Sequence, residues 1–135
     1  METKDALDKL IVDEEENPNI ELLAELVLKY LRFDKKTGEI IFNEEFYKLM
    51  GLQKILVYLL GRKIIIIKNL QKDFDEKINQ KEIENILGIK GSSVRKYISV
   101  DLKNIVKSEN KKYFVPNYNL YKCKEKLGEK SKNGN

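Results

Sequence analysis

The chain has 135 residues, of which 26 are Lys or Arg, 22 are Asp or Glu, and none is His or Trp. This length suits one ordinary domain, and 41% apolar residues are enough to build a hydrophobic core. Cys123 is the only cysteine, so an internal disulfide, a Cys/His zinc site and catalysis by a histidine base are all excluded. The apolar runs are far shorter than the roughly 20 residues that span a bilayer, so we expect a soluble, cytoplasmic protein without a membrane partner.

The charge is divided unevenly along the chain. Residues 1–50 carry a net charge of −6, and residues 51–135 carry a net charge of +10. Such asymmetry is typical of a protein in which one end meets a polyanion. The alternative is that a lysine-rich surface only keeps the protein in solution.

The first 50 residues are predicted to form an acidic helical extension. A short amphipathic helix is expected over residues 4–14, with Leu7, Leu10 and Ile11 on one face. Pro18 fits the first turn of a second helix, where its missing N–H costs nothing. The apolar residues of that helix recur at spacings of three and four: Ile20, Leu23, Ala24, Val27, Leu28 and Leu31.

A turn at residues 35–38 is expected to lead into a short strand at 39–42. Asn43 then suits the cap of a helical turn over residues 44–50. A longer helix follows from Leu52 to Leu70, with an apolar stripe that comprises Leu52, Ile55, Leu56, Leu59, Ile66 and Leu70.

Two segments leave alternatives open. The four consecutive isoleucines at residues 64–67 would also suit a buried strand, because β-branched side chains favour strands, although we expect a helix there. In the polar connector 71–79, three acids could gather a cation: Asp73, Asp75 and Glu76. They lack the glycine and distal glutamate of a calcium loop, which favours a solvated connector with no metal and no cofactor.

The strongest pattern lies between residues 79 and 104. Asn79 and Glu82 are spaced as a capping box, and the short helix that they begin ends at Gly88, a residue suited to a left-handed C-terminal position. Ser92 or Ser93 can cap the next helix, predicted over residues 92–104. Its inner face consists of Val94, Ile98, Leu102 and Ile105, and its outer face is polar and basic. Helix, glycine turn and helix is the arrangement of a helix-turn-helix.

A β-hairpin is predicted directly after this helix. Residues 105–108 and 112–115 are rich in β-prone side chains, and the segment between them contains Asn110 and Lys111, which suit a turn. Pro116 ends the second strand because it has no N–H to donate. A last helix is expected over residues 118–127 with Leu120, Tyr121 and Leu127 facing inward, followed by a flexible tail at 128–135.

These motifs together resemble winged-helix transcription regulators of archaeal type. The resemblance covers residues 52–127, and the matching residues are Lys81-Glu82-Ile83, Leu87-Gly88-Ile89, Gly91-Ser92-Ser93-Val94-Arg95-Lys96-Tyr97, Leu102, Ile105-Val106-Lys107 and Tyr113-Phe114-Val115-Pro116. The resemblance implies a mainly α fold with a small β-hairpin (α+β), a winged helix-turn-helix domain over residues 51–127. It also implies that helix 92–104 enters the major groove and that hairpin 105–116 is a wing on the DNA backbone.

Candidate DNA contacts follow from this geometry. Arg95 is the one arginine of the motif, and arginine grips guanine through two parallel hydrogen bonds, whereas lysines meet phosphates. The full set of candidates is Gln80, Lys81, Ser92, Ser93, Arg95, Lys96, Ser99, Lys103, Lys107, Asn110, Lys111 and Lys112. The alternative for Arg95 and Lys96 is a solvated helix face or ion pairs with Glu82 or Glu84. Tyr97 and Tyr113 are expected to pack in the core rather than stack on sugars.

Three functions compete at this stage, and none is enzymatic, because no carboxylates are organised into an acid–base pair. The first is a DNA-binding transcription regulator, expected to be a homodimer because one winged helix reads one half-site. The second is a protein-interaction module whose partner binds residues 1–50. The third is a nucleoid or plasmid-maintenance protein that coats duplex DNA without sequence preference. Residues 1–50 would then serve as a dimer or docking surface, or fold back over the rest of the chain.

Overall fold

The computed structural model of the protein describes residues 6–11 and 18–129. Ala6–Leu10 forms a short 3₁₀ helix rather than the predicted α-helix, the remainder of which lies outside the described residues. The three apolar residues expected to form a packed face here, Leu7, Leu10 and Ile11, are all exposed. Residues 6–11 therefore contribute apolar surface and not a core helix.

Helix α1 spans Ile20–Val27 and begins where the Asn19 side chain accepts a hydrogen bond from the backbone N–H of Leu22 (3.0 Å). It buries Leu23, Leu26 and Val27. The helix is shorter than predicted and is rotated from the expected face, since Ile20 and Leu28 are exposed.

A β-hairpin follows α1, where one short strand was predicted. Strand β1 (Leu31–Phe33) pairs antiparallel with strand β2 (Ile40–Phe42), in the segment where a strand was predicted. Leu31, assigned to the helix, starts β1 instead. Glu44–Lys48 then forms a 3₁₀ helix, which the Asn43 side chain was expected to cap but does not. The Asn43 amide nitrogen donates to the Lys29 carbonyl.

Helix α2 (Gly51–Lys68) runs through the centre of the fold, and every residue from 55 to 63 is buried. The isoleucines at 64–67 belong to this helix, which confirms the helical prediction over the strand alternative. Ile66, expected on the buried stripe, is 42% exposed. Over residues 55–63 this helix is buried on all sides, so its apolar positions define no single stripe that could be extended to Ile66.

The second half alternates helices and short strands. Strand β3 (Ile78–Asn79), which was not predicted, leads directly into α3 (Gln80–Leu87) and α4 (Gly91–Lys96). A π-helical turn, Tyr97–Asp101, extends α4. Strands β4 (Lys107–Glu109) and β5 (Lys112–Phe114) complete an antiparallel sheet of order β3-β5-β4.

The last helix lies slightly later than predicted. A 3₁₀ turn at Asn117–Asn119 precedes α5 (Leu120–Gly128), which buries Leu120 and Cys123. Tyr121 was expected to face inward and is 66% exposed. Residues 130–135, most of the predicted flexible tail, lie outside the described part of the chain.

One hydrophobic core joins both halves of the described chain. Helix α1 packs against α2 and α5, and the buried side chains of α1, β1 and Phe46 belong to the same cluster as those of α2 to α5. Gly61 of α2 permits this approach, because a Cβ there would lie 2.9 Å from Ile40 Cδ1 and 3.2 Å from Leu31 Cδ2. The fold is thus mixed α and β, as predicted. No helix in the described residues has both the length and the apolar character needed to cross a membrane.

Candidate nucleic-acid interface

The junction between α3 and α4 is fixed by local hydrogen bonds. The backbone N–H of Glu82 donates to the Asn79 side chain (2.9 Å) at the start of α3, and Gly88 ends the helix with φ of 66°, both as predicted. Gly91 starts α4, where a Cβ would lie 2.7 Å from Glu84 Oε2. The expected serine caps are wrong, since α4 begins after Lys90 and both serines lie inside the helix.

The Gln80 side chain forms a hydrogen-bond bridge between α3 and α4. Its side-chain amide donates to Glu84 Oε2 (3.0 Å) and to the Gly91 carbonyl (3.3 Å), and the side chain is half-buried. This predicted DNA contact therefore positions α4 relative to α3. Its neighbour Lys81 is exposed on the surface of α3.

The inner face of α4 and its π-helical turn is the one predicted: Val94, Ile98, Leu102 and Ile105 are all buried. The helix itself is shorter than residues 92–104, because the π-helical turn ends at Asp101. In that turn the backbone N–H of Leu102 donates to the Tyr97 carbonyl (2.8 Å), five residues earlier. A π-turn holds more residues than the 3.6 of an α-turn, so side chains spaced by four remain on one face.

The same spacing aligns the polar outer face. Arg95, Ser99 and Lys103 form a row along the helix and the turn after it, and all three are exposed, as are Ser92 and Lys96, whereas Ser93 is half-buried. Within residues 18–129, neither Arg95 nor Lys96 forms an ion pair, so pairing with Glu82 or Glu84 is not observed. The two cations lie on the solvent-facing side of α4.

The hairpin that follows is built on a two-residue turn. Asn110 and Lys111 both have positive φ, 52° and 64°, as a type I′ turn requires. The strands are shorter than the predicted 105–116 hairpin, because Ile105 and Val106 are buried ahead of β4. The register places Glu109 opposite Lys112 and Ser108 opposite Tyr113.

A groove of about 390 Å³ separates the outer row of α4 from this hairpin. Its polar lining includes four of the predicted DNA contacts, Arg95, Ser99, Lys103 and Lys107, together with Ser108 and Tyr113. Ser108 and Tyr113 were not predicted as contacts. The signal that could have identified them is the two-residue turn at 110–111, which places Ser108 opposite Tyr113.

The two tyrosines expected to pack in the core are both half-buried. The Tyr97 ring lies against the start of α2, since a Cβ at Gly51 would be 2.7 Å from its Cε2 atom. Tyr113 lines the groove as well. Tyr97 is thus a packing residue, whereas Tyr113 also presents part of its surface to the candidate interface.

Other basic side chains of the hairpin hold it in place. Lys112 Nζ pairs with Asp75 Oδ2 (3.0 Å), and Lys77 Nζ pairs with Glu109 Oε1 (2.9 Å), which joins the loop before β3 to both hairpin strands. The backbone N–H of Lys77 and then the Lys112 ammonium hold the pKa of Asp75 below its ordinary value of 3.8. The Lys112 ammonium, predicted to contact DNA, therefore also holds the hairpin against the loop that contains Asp75.

Lys107 is also engaged with a residue that the sequence did not single out. Its ammonium donates to the Tyr118 hydroxyl (2.7 Å) and lies 5.4 Å from the centre of that ring. Asn110 and Lys111 are exposed at the tip of the hairpin. A cluster of basic and hydroxyl groups thus extends from α4 across the hairpin to the segment before α5.

Two acids of the connector form ion pairs with lysines, and the cysteine is buried. Among the described residues, no group of three or more acids and cysteines is close enough to hold a metal ion. Asp75 and Glu76 instead pair with Lys112 and Lys63. Cys123 is fully buried, and this burial raises the pKa of its thiol to about 12. The charge of Lys63 would lower this pKa, but burial has the larger effect.

Comparison of the chain with protein-family models, with curated proteins and with solved structures finds no match.

Proposed function

We propose that residues 51–127 form a winged helix-turn-helix domain that binds double-stranded DNA and regulates transcription. The order of elements supports this: α2, β3, α3, α4 and then the β4–β5 hairpin, with β3 added to the edge of β5. In this proposal the helix over residues 91–101 enters the major groove, and the hairpin lies along the DNA backbone as a wing.

The observation that carries the proposal is the groove between α4 and the hairpin. One basic row, Arg95 and Lys103 with Ser99 between them, faces Lys107 across a cleft that is open to solvent. Arg95 and Lys103 form no ion pair with another described residue, so their donors are available to a polyanion. Arg95 would read a base edge, and the lysines would neutralise phosphates.

A second copy of the chain is the partner that we propose alongside DNA. Exposed apolar side chains are concentrated in the first half: Leu7, Leu10, Ile11, Ile20 and Leu28. Contact through them would separate the two copies of the groove-binding helix, residues 91–101, by the distance between two DNA half-sites. The same side chains would serve a different protein partner if the chain were an interaction module, so oligomeric state and DNA binding need separate measurements.

Fluorescence anisotropy with labelled duplex DNA over a salt series tests the proposal. The Arg95→Ala, Lys96→Ala variant removes two cations from the outer face of α4. The matched control, Lys35→Ala, Lys36→Ala, removes two exposed cations from the β1–β2 turn. We expect tight, salt-dependent binding by the native chain and by the control, and a loss of at least about tenfold in the α4 variant at low salt.

The salt dependence distinguishes the alternatives. The logarithm of the association constant falls with the logarithm of the salt concentration, and each phosphate contact steepens this slope by about 0.9. Loss of the Lys96 contact should therefore make the slope shallower by about that amount. An equal loss in both variants would indicate non-specific attraction by net charge. Absence of binding by the native chain at low salt would exclude DNA as the partner and leave the protein-interaction function.

A further inference from the structure

The start of α5 is held against the edge of the candidate DNA groove. The Asn119 amide nitrogen, at the residue before α5, donates to the Ile105 carbonyl (2.9 Å). The Lys122 ammonium, in the first turn of α5, donates to the Asn104 carbonyl (3.0 Å). Because Asn104 directly follows Lys103, a residue of the groove lining, these bonds place the Lys122 ammonium beside that lining.

Two tyrosines border the same place. The Tyr118 hydroxyl accepts a hydrogen bond from Lys107, which also lines the groove, and a hydroxyl that accepts one bond still has its own O–H to donate. Tyr121 is 66% exposed, and the Lys122 ammonium lies 5.9 Å from the centre of its ring. The surface formed by Tyr118, Tyr121 and Lys122, called the α5 edge below, therefore continues the groove with hydrogen-bond donors.

The three lysines of α5 differ in their charge balance. Lys124 lies 3.8 Å from Glu25, and Lys126 lies 3.3 Å from Glu129, so a carboxylate accompanies each of these two. Within residues 18–129, Lys122 forms no ion pair. Its hydrogen-bond acceptor is a neutral carbonyl and its ring contact is also neutral. The α5 lysine beside the groove thus keeps its full charge for a polyanion.

We propose that the α5 edge binds the sugar-phosphate backbone of duplex DNA, and this inference rests on the proposed function because it extends the same interface. The Lys122 ammonium and the Tyr121 hydroxyl contact phosphate oxygens, which are the acceptors that Lys and Tyr side chains most often meet in DNA complexes. Glu125 is exposed one turn further along α5, and its carboxylate repels phosphate, so the contact ends there.

Fluorescence anisotropy over a salt series tests the α5 edge with variants of one position. Lys122→Gln removes the charge and keeps an N–H donor for the Asn104 carbonyl, whereas Lys122→Arg keeps the charge. The matched control, Lys124→Gln, removes a charge from the same helix. For Lys122→Gln we expect a salt slope shallower by about 0.9, so the ratio of native to variant affinity falls about threefold to fourfold from about 50 mM to about 200 mM salt.

The other variants should separate charge from structure. Lys122→Arg and Lys124→Gln should keep the native slope. The loss in Lys122→Gln should be equal on two duplexes of unrelated sequence, because phosphate contacts carry no sequence information. Equal losses in Lys122→Gln and Lys122→Arg would assign Lys122 a structural role and overturn the contact.

Failure of this inference can be told apart from failure of the proposed function. If the native chain binds DNA and Arg95→Ala, Lys96→Ala weakens binding, but Lys122→Gln behaves like Lys124→Gln, the α5 edge is refuted and the proposed function stands. If the native chain does not bind duplex DNA at low salt, the proposed function is refuted and the α5 contact with it.

Discussion

Replacing Lys111 with glycine is expected to stabilise the protein, although it removes a cation from the candidate interface. Lys111 has φ of 64° at the second central position of the hairpin turn. A left-handed conformation costs a residue with a Cβ about 1–2 kcal/mol, and glycine is free of that cost. Glycine loses about 0.5–1 kcal/mol more chain entropy on folding, so the net gain is roughly 0.5–1 kcal/mol. For a domain of this size, that corresponds to a rise in Tm of about 2–5 °C.

Lys111→Ala is the matched control, because it removes the same charge and keeps the left-handed strain. Thermal unfolding followed by circular dichroism at fixed ionic strength should place Lys111→Gly above both the native chain and Lys111→Ala. If the glycine variant were no more stable than the alanine variant, the type I′ turn would be refuted. The DNA-binding proposal predicts an equal loss of DNA affinity in both variants, since both lose the same ammonium.

Two further predictions concern single titratable groups. The folded protein holds the pKa of Asp75 below 3.8, so its carboxylate stabilises the fold above that pH, and the contribution is lost as the pH falls through the folded-state pKa. Asp75→Asn should therefore be less stable than the native chain at neutral pH, with a gap that closes in acid; a gap that is constant with pH would contradict this. Cys123, with a pKa raised to about 12, should react with a thiol reagent at mildly alkaline pH only after denaturant is added. Rapid labelling of the folded protein would show that the helix around Cys123 opens.

The elements that could be predicted from sequence have local causes. Asn79 and Gly88 mark the two ends of α3 through a cap and a left-handed residue, and both are found in those roles. The i, i+4, i+8 spacing of Val94, Ile98 and Leu102 correctly predicted the buried face of α4 and of the π-helical turn that extends it. These features depend on residues within two turns of one another, so the sequence contains what is needed to infer them.

Elements that depend on distant partners were missed. Strand β3 has two residues, too few for any periodicity, and it is a strand because Ile78 pairs with Tyr113. Leu31 was assigned to a helix for the same reason, since its strand exists through pairing with Phe42. Tertiary pairing decides such segments, and local propensity does not.

The candidate interface shows the same division. Helical spacing placed Arg95, Ser99 and Lys103 in one exposed row, which the structure has. It gave no indication that Lys112 would pair with Asp75, 37 residues away in the chain, or that Gln80 would bridge two helices. The spacing of residues along a helix identifies which side chains share a face. The hydrogen-bond and ion-pair partners of each side chain depend on the complete fold.

The close approach at Gly61 limits how the two halves of this chain can diverge. The ends of the Leu31 and Ile40 side chains lie within 3.2 Å of the position that a Cβ of residue 61 would occupy, so an alanine at residue 61 would require both side chains to shift. The acidic half therefore contacts α2 through closely fitted side chains, and a segment from another protein would need matching side chains at residues 31 and 40 to replace it. Substitutions at residues 31, 40 and 61 are expected to occur together.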